Sequence, residues 1–271
     1  MRNVMLWIVA VLLAAATLTY QRVTGPTYPV RVRAELCGAE VRGKLLRSHE
    51  TGENLPVALT VTDQSAQGVV HWRRFPTDEP WATIPMVREG EEVRAAIPTQ
   101  PMAGKVEYRV ELTAPSGAAP SRLLLPESGP AVARYKRAVP GWALIPHVVF
   151  ISLAMVWSMR AGLEALGRRA KQRQQAMMAC GLMVLAGLIF GPIVQKFAFD
   201  AFWTGWPFGQ DLTDNKTAVA MLFWLIALYM GRGGRQARAW VIAASAVTLL
   251  VFLIPHSMLG SQLDYSAISK G

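Results

Sequence analysis

The stretch Val139-Pro-Gly-Trp-Ala-Leu-Ile-Pro-His-Val-Val-Phe-Ile-Ser-Leu-Ala-Met-Val-Trp-Ser-Met159 runs for 21 residues without a charged side chain. A helix rises 1.5 Å per residue, so the run covers roughly 30 Å, the thickness of a bilayer's hydrocarbon core. Lipid offers no hydrogen bonds, which leaves the helix as the economical form for such a segment. Four more apolar spans flank it: Val4–Tyr20, Ala176–Val194, Ala218–Met230 and Ala239–Ile254. A polar, strand-like region of over a hundred residues separates the first two spans. The expected fold is therefore an α+β membrane protein. It has a transmembrane anchor at 1–22, an antiparallel β-sandwich at 28–135, and a four-helix transmembrane domain at 139–271 with an interfacial outer loop at 196–217.

The formal charge of +10 does not form the stripe that nucleic-acid binding needs. Arg160, Arg168, Arg169, Lys171 and Arg173 fall between spans two and three, and Arg232, Arg235 and Arg238 between spans four and five. Lysine and arginine in short loops report the cytoplasmic side. That places Arg2 inside, and the large polar region, the 196–217 loop and the tail from His256 outside. The expected location is a plasma membrane crossed several times, with the amino terminus cytoplasmic and the carboxy terminus on the outer face. Ala14–Ala16 offers a signal-peptidase site, but the apolar run continues to Tyr20 and reads as a retained anchor. Only Cys37 and Cys180 are present, one in the polar region and one in a span, so no disulfide is expected.

In the polar region, Val30–Leu36 alternates strictly, as do Val57–Thr62 and Lys105–Leu112, each reading as a half-buried strand. Glu107, Arg109 and Glu111 are expected to face water. Weaker strands are read at Val41–Leu46, Val69–Phe75, Ala82–Val87, Glu92–Ile97 and Arg122–Leu125. This spacing describes a β-sandwich. His49 and His71 have no cysteine or carboxylate at ligand spacing and read as strand-face residues.

The polarity that could carry function sits at the outer ends of the spans. Asp214 lies 18 residues from Arg232 and His256 lies 18 from Arg238, so both stand about 27 Å above the basic ends. His147, 13 residues from Arg160, stands about 20 Å up. Span four is too short alone and must draw Thr213-Asp-Asn-Lys-Thr217 toward the membrane. The candidate cluster is His147, His256, Trp203, Trp206, Asp211, Asp214, Asn215 and Lys216. In the structural reading Asp214 or Thr213 caps its helix, the tryptophans form an aromatic belt, and His147 satisfies a carbonyl freed by Pro146. In the functional reading these groups build a pocket for a metal, a haem, a quinone headgroup or an anion. A haem or metal held by both histidines has to overcome the height offset of about 7 Å. No cofactor is named by the sequence.

Ala96-Ile-Pro-Thr-Gln-Pro-Met-Ala-Gly-Lys-Val-Glu-Tyr-Arg-Val110 resembles the late hairpin of fibronectin-III or immunoglobulin-like domains, which implies a sandwich and no activity. Tyr20-Gln-Arg-Val-Thr-Gly-Pro-Thr-Tyr-Pro29, Phe202-Trp-Thr-Gly-Trp-Pro-Phe-Gly-Gln-Asp-Leu-Thr-Asp-Asn-Lys-Thr217 and Pro255-His-Ser257 resemble segments of uncharacterised bacterial inner-membrane proteins. That resemblance implies a bacterial inner membrane and a periplasmic β-domain.

Gly231-Arg-Gly-Gly-Arg235 lacks the spacing and Lys-Ser/Thr of a phosphate loop, and no zinc-protease helix or Cys-x-x-Cys occurs. No internal duplication of the kind many transporters show is evident. The expected function is that of a non-enzymatic membrane accessory or scaffold subunit whose β-sandwich contacts a protein partner. The alternative is a redox- or metal-handling component with its site at the outer face.

Overall fold

The computed structural model describes residues 2–115, 121–168, 171–234, 237–255, 260 and 262–265. Arg169, Arg235 and His256 lie outside the described residues. The chain divides into two compact units, Met1–Gly25 with Val139–Ser261, and Pro26–Ala138 with the tail from Gln262.

The first unit is helical: α1 (Arg2–Thr24), α2 (Gly141–Leu166), α3 (Gln172–Met183), α4 (Gly191–Phe199), α5 (Leu212–Met230) and α6 (Arg238–Leu253). Three helical runs, Asn3–Thr24, Gly141–Leu166 and Gln172–Phe199, are long and apolar enough to cross a membrane, and α6 is a shorter apolar helix. The expected four helices after the polar region are five, because the third span is divided by a π-helical segment at Val184–Phe190. Pro192 has no N–H for an α-helical bond, and the wider turn lets Gly191 N–H reach the carbonyl of Ala186 instead. α2 also continues past Met159 to Leu166, so Arg160 is not in the loop where the sequence reading put it.

On α1, Ala10, Ala14, Thr17 and Gln21 are buried at helical spacing. Trp7 packs edge-on against Trp157 of α2 with ring centroids 5.1 Å apart. Asn3 Oδ1 accepts from Arg160 at 2.6 Å near the end of α2, while Gln21 Nε2 donates to the Ile254 carbonyl at the end of α6 at 3.3 Å. These contacts run the length of α1 and bind it to the same core as α2 and α6.

The second unit holds β1 (Val30–Leu36), β2 (Ala39–Leu45), β3 (Ser48–Glu50), β4 (Leu55–Val61), β5 (Gln67–Arg74), β6 (Ala82–Pro85), β7 (Val87–Glu89), β8 (Glu92–Ile97), β9 (Lys105–Ala114), β10 (Ser121–Leu125) and β11 (Ala131–Lys136). One sheet has the order β1-β2-β4-β8-β7 and the other β3-β11-β9-β5-β6, with β10 also on β9. Alternation explains which side chains go inward: Leu55, Val57, Leu59 and Val61 of β4 and Val106, Tyr108, Val110 and Leu112 of β9 share one hydrophobic cluster.

Three expectations change here. The strand pairs are antiparallel except β3 with β11, which run parallel with Arg134 opposite Ser48. β3 follows β2 of the first sheet after two residues yet joins the edge of the second, so its direction is set by that crossing rather than by a hairpin. Glu107 does not face water: it is 7 % exposed, and the Arg73 guanidinium donates to its carboxylate at 2.5 Å. His71 has a carboxylate partner after all, Glu111 across the β5–β9 register, at 3.1 Å. Both cysteines are free, Cys37 exposed and Cys180 buried.

Candidate functional site

α5 begins at Leu212, and Asp211 is its N-cap, its Oδ1 accepting from Thr213 N–H at 2.8 Å. The side chain thereby satisfies one of the orphan donors of the first turn. One turn further on, Asp214 has a different task. Its Oδ2 accepts from Thr204 N–H at 2.7 Å, from Gly205 N–H at 3.0 Å and from Gln195 Nε2 of α4 at 3.2 Å. The neighbouring Asn215 Oδ1 accepts from Trp206 N–H at 2.7 Å. Asp214 and Asn215 thus fold the preceding loop back over the start of their own helix.

The loop is fitted closely to this arrangement. A Cβ on Gly205 would lie 2.6 Å from the Asp214 Cβ and 2.8 Å from Asn215 Oδ1, so only glycine lets the backbone approach. Trp203 Nε1 donates to the Trp206 carbonyl at 3.1 Å. Trp206 and Phe208 are left 78 % and 82 % exposed, so the polar atoms brace the loop inside and its aromatic rings point outward.

Lys216 is 4 % exposed, and its ammonium donates to the Ile254 carbonyl at 2.7 Å. A cation there meets the last carbonyls of α6, where the helix dipole is negative. Because Gln21 donates to the same oxygen, α1, α5 and α6 meet at Ile254. His147 is half-buried, and Nδ1 donates to the Ala186 carbonyl at 3.0 Å, which fixes the proton on Nδ1. That carbonyl belongs to the π segment and not to the turn that Pro146 interrupts.

The hydrogen bonds of the described candidates fall into three groups. Asp211, Asp214, Asn215, Trp203 and Trp206 form the loop brace, Lys216 the junction at Ile254, and His147 a bond to the π segment; His256 lies outside the described residues. Among the described residues, no three His, Cys, Asp or Glu side chains are grouped so as to hold a metal ion.

The sequence reading missed a second polar centre. Arg160 and Glu164 on α2 are 1 % and 2 % exposed, with the guanidinium 2.5 Å from Glu164 Oε1. The guanidinium also lies 5.2 Å from the Trp7 ring centroid. Arg160 Nε and Nη1, Glu164 Oε2 and Gln175 Oε1 are buried without a hydrogen-bond partner among the described residues. The signal was present as an Arg-x-x-x-Glu spacing, which puts the two charges on one helix face.

Comparison of the chain with protein-family models, curated proteins and solved structures gave no match.

Proposed function

We propose that the chain is a multi-pass membrane protein of a bacterial inner membrane. In this reading it acts as an accessory or scaffold subunit, holding a periplasmic β-sandwich for contact with a protein partner. The observation that carries this reading is where the polar side chains of the candidate cluster are spent. Asp214, Asn215, Lys216 and His147 each bond a backbone group of the helical unit. They shape and brace that unit, as a scaffold requires, instead of converging on a substrate.

The orientation rests on chain direction and charge. The chain leaves α1 at its carboxy-terminal end and re-enters at the start of α2, and the pairing of Asn3 with Arg160 and of Trp7 with Trp157 makes those two helices antiparallel, while Gln21 sets the far end of α1 beside Ile254. Both ends then belong to one membrane face, with Ile254 and the braced loop. Arg168, Lys171, Arg173, Arg232 and Arg238 lie at the other ends of the helices, in the cytoplasm by the excess of basic residues in short loops. Arg160 is no longer part of that count.

The test is purification from membranes in mild detergent, with metal analysis, absorption spectroscopy and cross-linking before extraction. The expected result is absorption from aromatic side chains only, together with a discrete cross-linked complex that reaches the β-domain. A stoichiometric metal or a visible chromophore that persists through purification would overturn the scaffold reading in favour of the redox- or metal-handling one.

A further inference from the structure

The described tail, Gln262-Leu-Asp-Tyr265, lies against the β8–β9 connection of the β unit. Leu263 N–H donates to the Ala103 carbonyl at 3.1 Å, and Lys105 Nζ to Gln262 Oε1 at 2.9 Å. The Tyr265 hydroxyl donates to the Lys105 carbonyl at 2.9 Å, with Gln100 Oε1 at 3.4 Å. The Arg74 guanidinium sits 5.3 Å from the centroid of the Tyr265 ring, which is 7 % exposed. Main-chain pairing, an amide–ammonium bond, a cation on an aromatic face and a phenol on a carbonyl are what a short peptide ligand presents to a binding domain.

The notch is formed by bonds that do not involve the tail. Ala103 N–H donates to the Tyr135 carbonyl at 3.0 Å, Tyr135 N–H to the Gly104 carbonyl at 2.8 Å, and Gly104 N–H to the Pro101 carbonyl at 2.9 Å. Gly104 supplies the space, since a Cβ there would come within 2.7 Å of the Tyr265 hydroxyl. A preformed wall with a single buried anchor side chain has the anatomy of a ligand site, not of a continuous core.

We propose that this notch is a peptide-binding site for a tyrosine-bearing segment, and that the chain's own tail is its resident, exchangeable ligand. Covalent attachment gives the tail a high local concentration at the notch, of about millimolar order for a short linker, and this favours it over a free segment. A free copy of the segment competes poorly with the attached tail and well once the tail is disabled.

The test uses the full chain in detergent and a fluorophore-labelled synthetic peptide with the sequence of residues 261–266, read by anisotropy. With the tail disabled by Tyr265→Ala, the peptide should bind saturably, at least about tenfold more tightly than to the unaltered chain. The same peptide with its tyrosine replaced by alanine should not bind. Should Tyr265→Ala fail to accumulate, Leu263→Pro removes the N–H that Ala103 accepts and frees the notch by another route. Equal titrations of altered and unaltered chains, or no saturable binding to either released chain, would overturn the proposal.

Discussion

Removing the negative partner of the buried Arg160–Glu164 pair should destabilise the helical unit more than any surface change. Glu164→Gln leaves an oxygen that can still accept from Arg160 but no charge to balance a guanidinium that is 1 % exposed, and Nε and Nη1 are already without an acceptor among the described residues. Stranding one member of a buried pair costs about 3–5 kcal/mol, whereas replacing both with apolar residues of similar volume is often neutral or stabilising by about 1–4 kcal/mol. Against total stabilities of about 5–15 kcal/mol, the single change takes a large share. The expected pattern is therefore Arg160→Met and Glu164→Gln each severely destabilised, with Arg160→Met/Glu164→Leu recovering most of the loss. Denaturant unfolding in detergent, followed by tryptophan fluorescence, measures the cycle. Two single variants within about 0.5 kcal/mol of the parent, or losses that simply add in the double variant, would refute a tightly coupled buried pair.

Replacing Asp214 with leucine removes the acceptor for two backbone N–H groups, an expected cost of about 2–6 kcal/mol at about 1–3 kcal/mol per stranded donor. Limited proteolysis should then cut within 200–211 and membrane abundance should fall; full protection would contradict the brace. Enlarging the α1 stripe by Ala10→Leu or Ala14→Leu should cost about 1–3 kcal/mol through overpacking, measurable in the same unfolding assay. Mass analysis of membrane-extracted protein should find α1 retained, and a chain beginning at Thr17 would show cleavage behind Ala16. Alkali should unfold the β unit cooperatively. Burial raises the Tyr108 and Tyr135 phenols above their ordinary value of 10.0, so in the fold both stay neutral where the unfolded chain ionises. Their contribution is complete below about pH 10 and is lost above it, by about 1.4 kcal/mol per pH unit for each tyrosine. Lys105, lowered by burial and then by Arg134, has the opposite sign, its penalty easing as pH rises, and one such group does not offset two phenols. Circular dichroism and tyrosinate absorbance should change together; ionisation that precedes unfolding would show that the rings are accessible.

Strict alternation made strands easiest to read, and the weaker patterns at Glu92–Ile97 and Arg122–Leu125 also lie on strands, β8 and β10. Val30–Leu36 forms β1 with those bounds, and Leu55–Val61 and Lys105–Ala114 present the inward faces expected of them. β11 escaped notice because two of its inward residues, Ala131 and Ala133, carry little hydrophobic signal, and β3 has only three residues and takes its place from its neighbours. In the third span Gly191-Pro192 was visible, but a proline admits either a kink or a π turn, and packing decides between them. The height argument concerned Asp214, His147 and His256, and the bond from Lys216 to the Ile254 carbonyl was not among its expectations. Height says nothing about which backbone group a side chain will bond, so the Ala186 carbonyl as the partner of His147 could not be read from spacing.

The same limit explains why Arg160 was misplaced. Counting basic residues treats each as a marker of an aqueous loop, which holds only when the charge has no partner on its own helix. Glu164 lies one turn away and gives Arg160 a reason to be buried, so the helix continues past both to Leu166. The two ends of the helical unit then differ in kind. At the Ile254 end the candidate side chains bond backbone groups and fix a shape. At the Arg160 end, donors on the guanidinium and acceptors on Glu164 and Gln175 are buried without partners among the described residues. Buried polar atoms are costly to leave unmatched, and an arginine–glutamate pair inside an apolar bundle is where chemistry, gating or a polar ligand is found by default. The Arg160→Met/Glu164→Leu variant separates the two roles once the unfolding assay shows it folded: cross-linking to the partner should stay at the parental level if the pair only holds α1, and its loss in a folded variant would show that the pair does more.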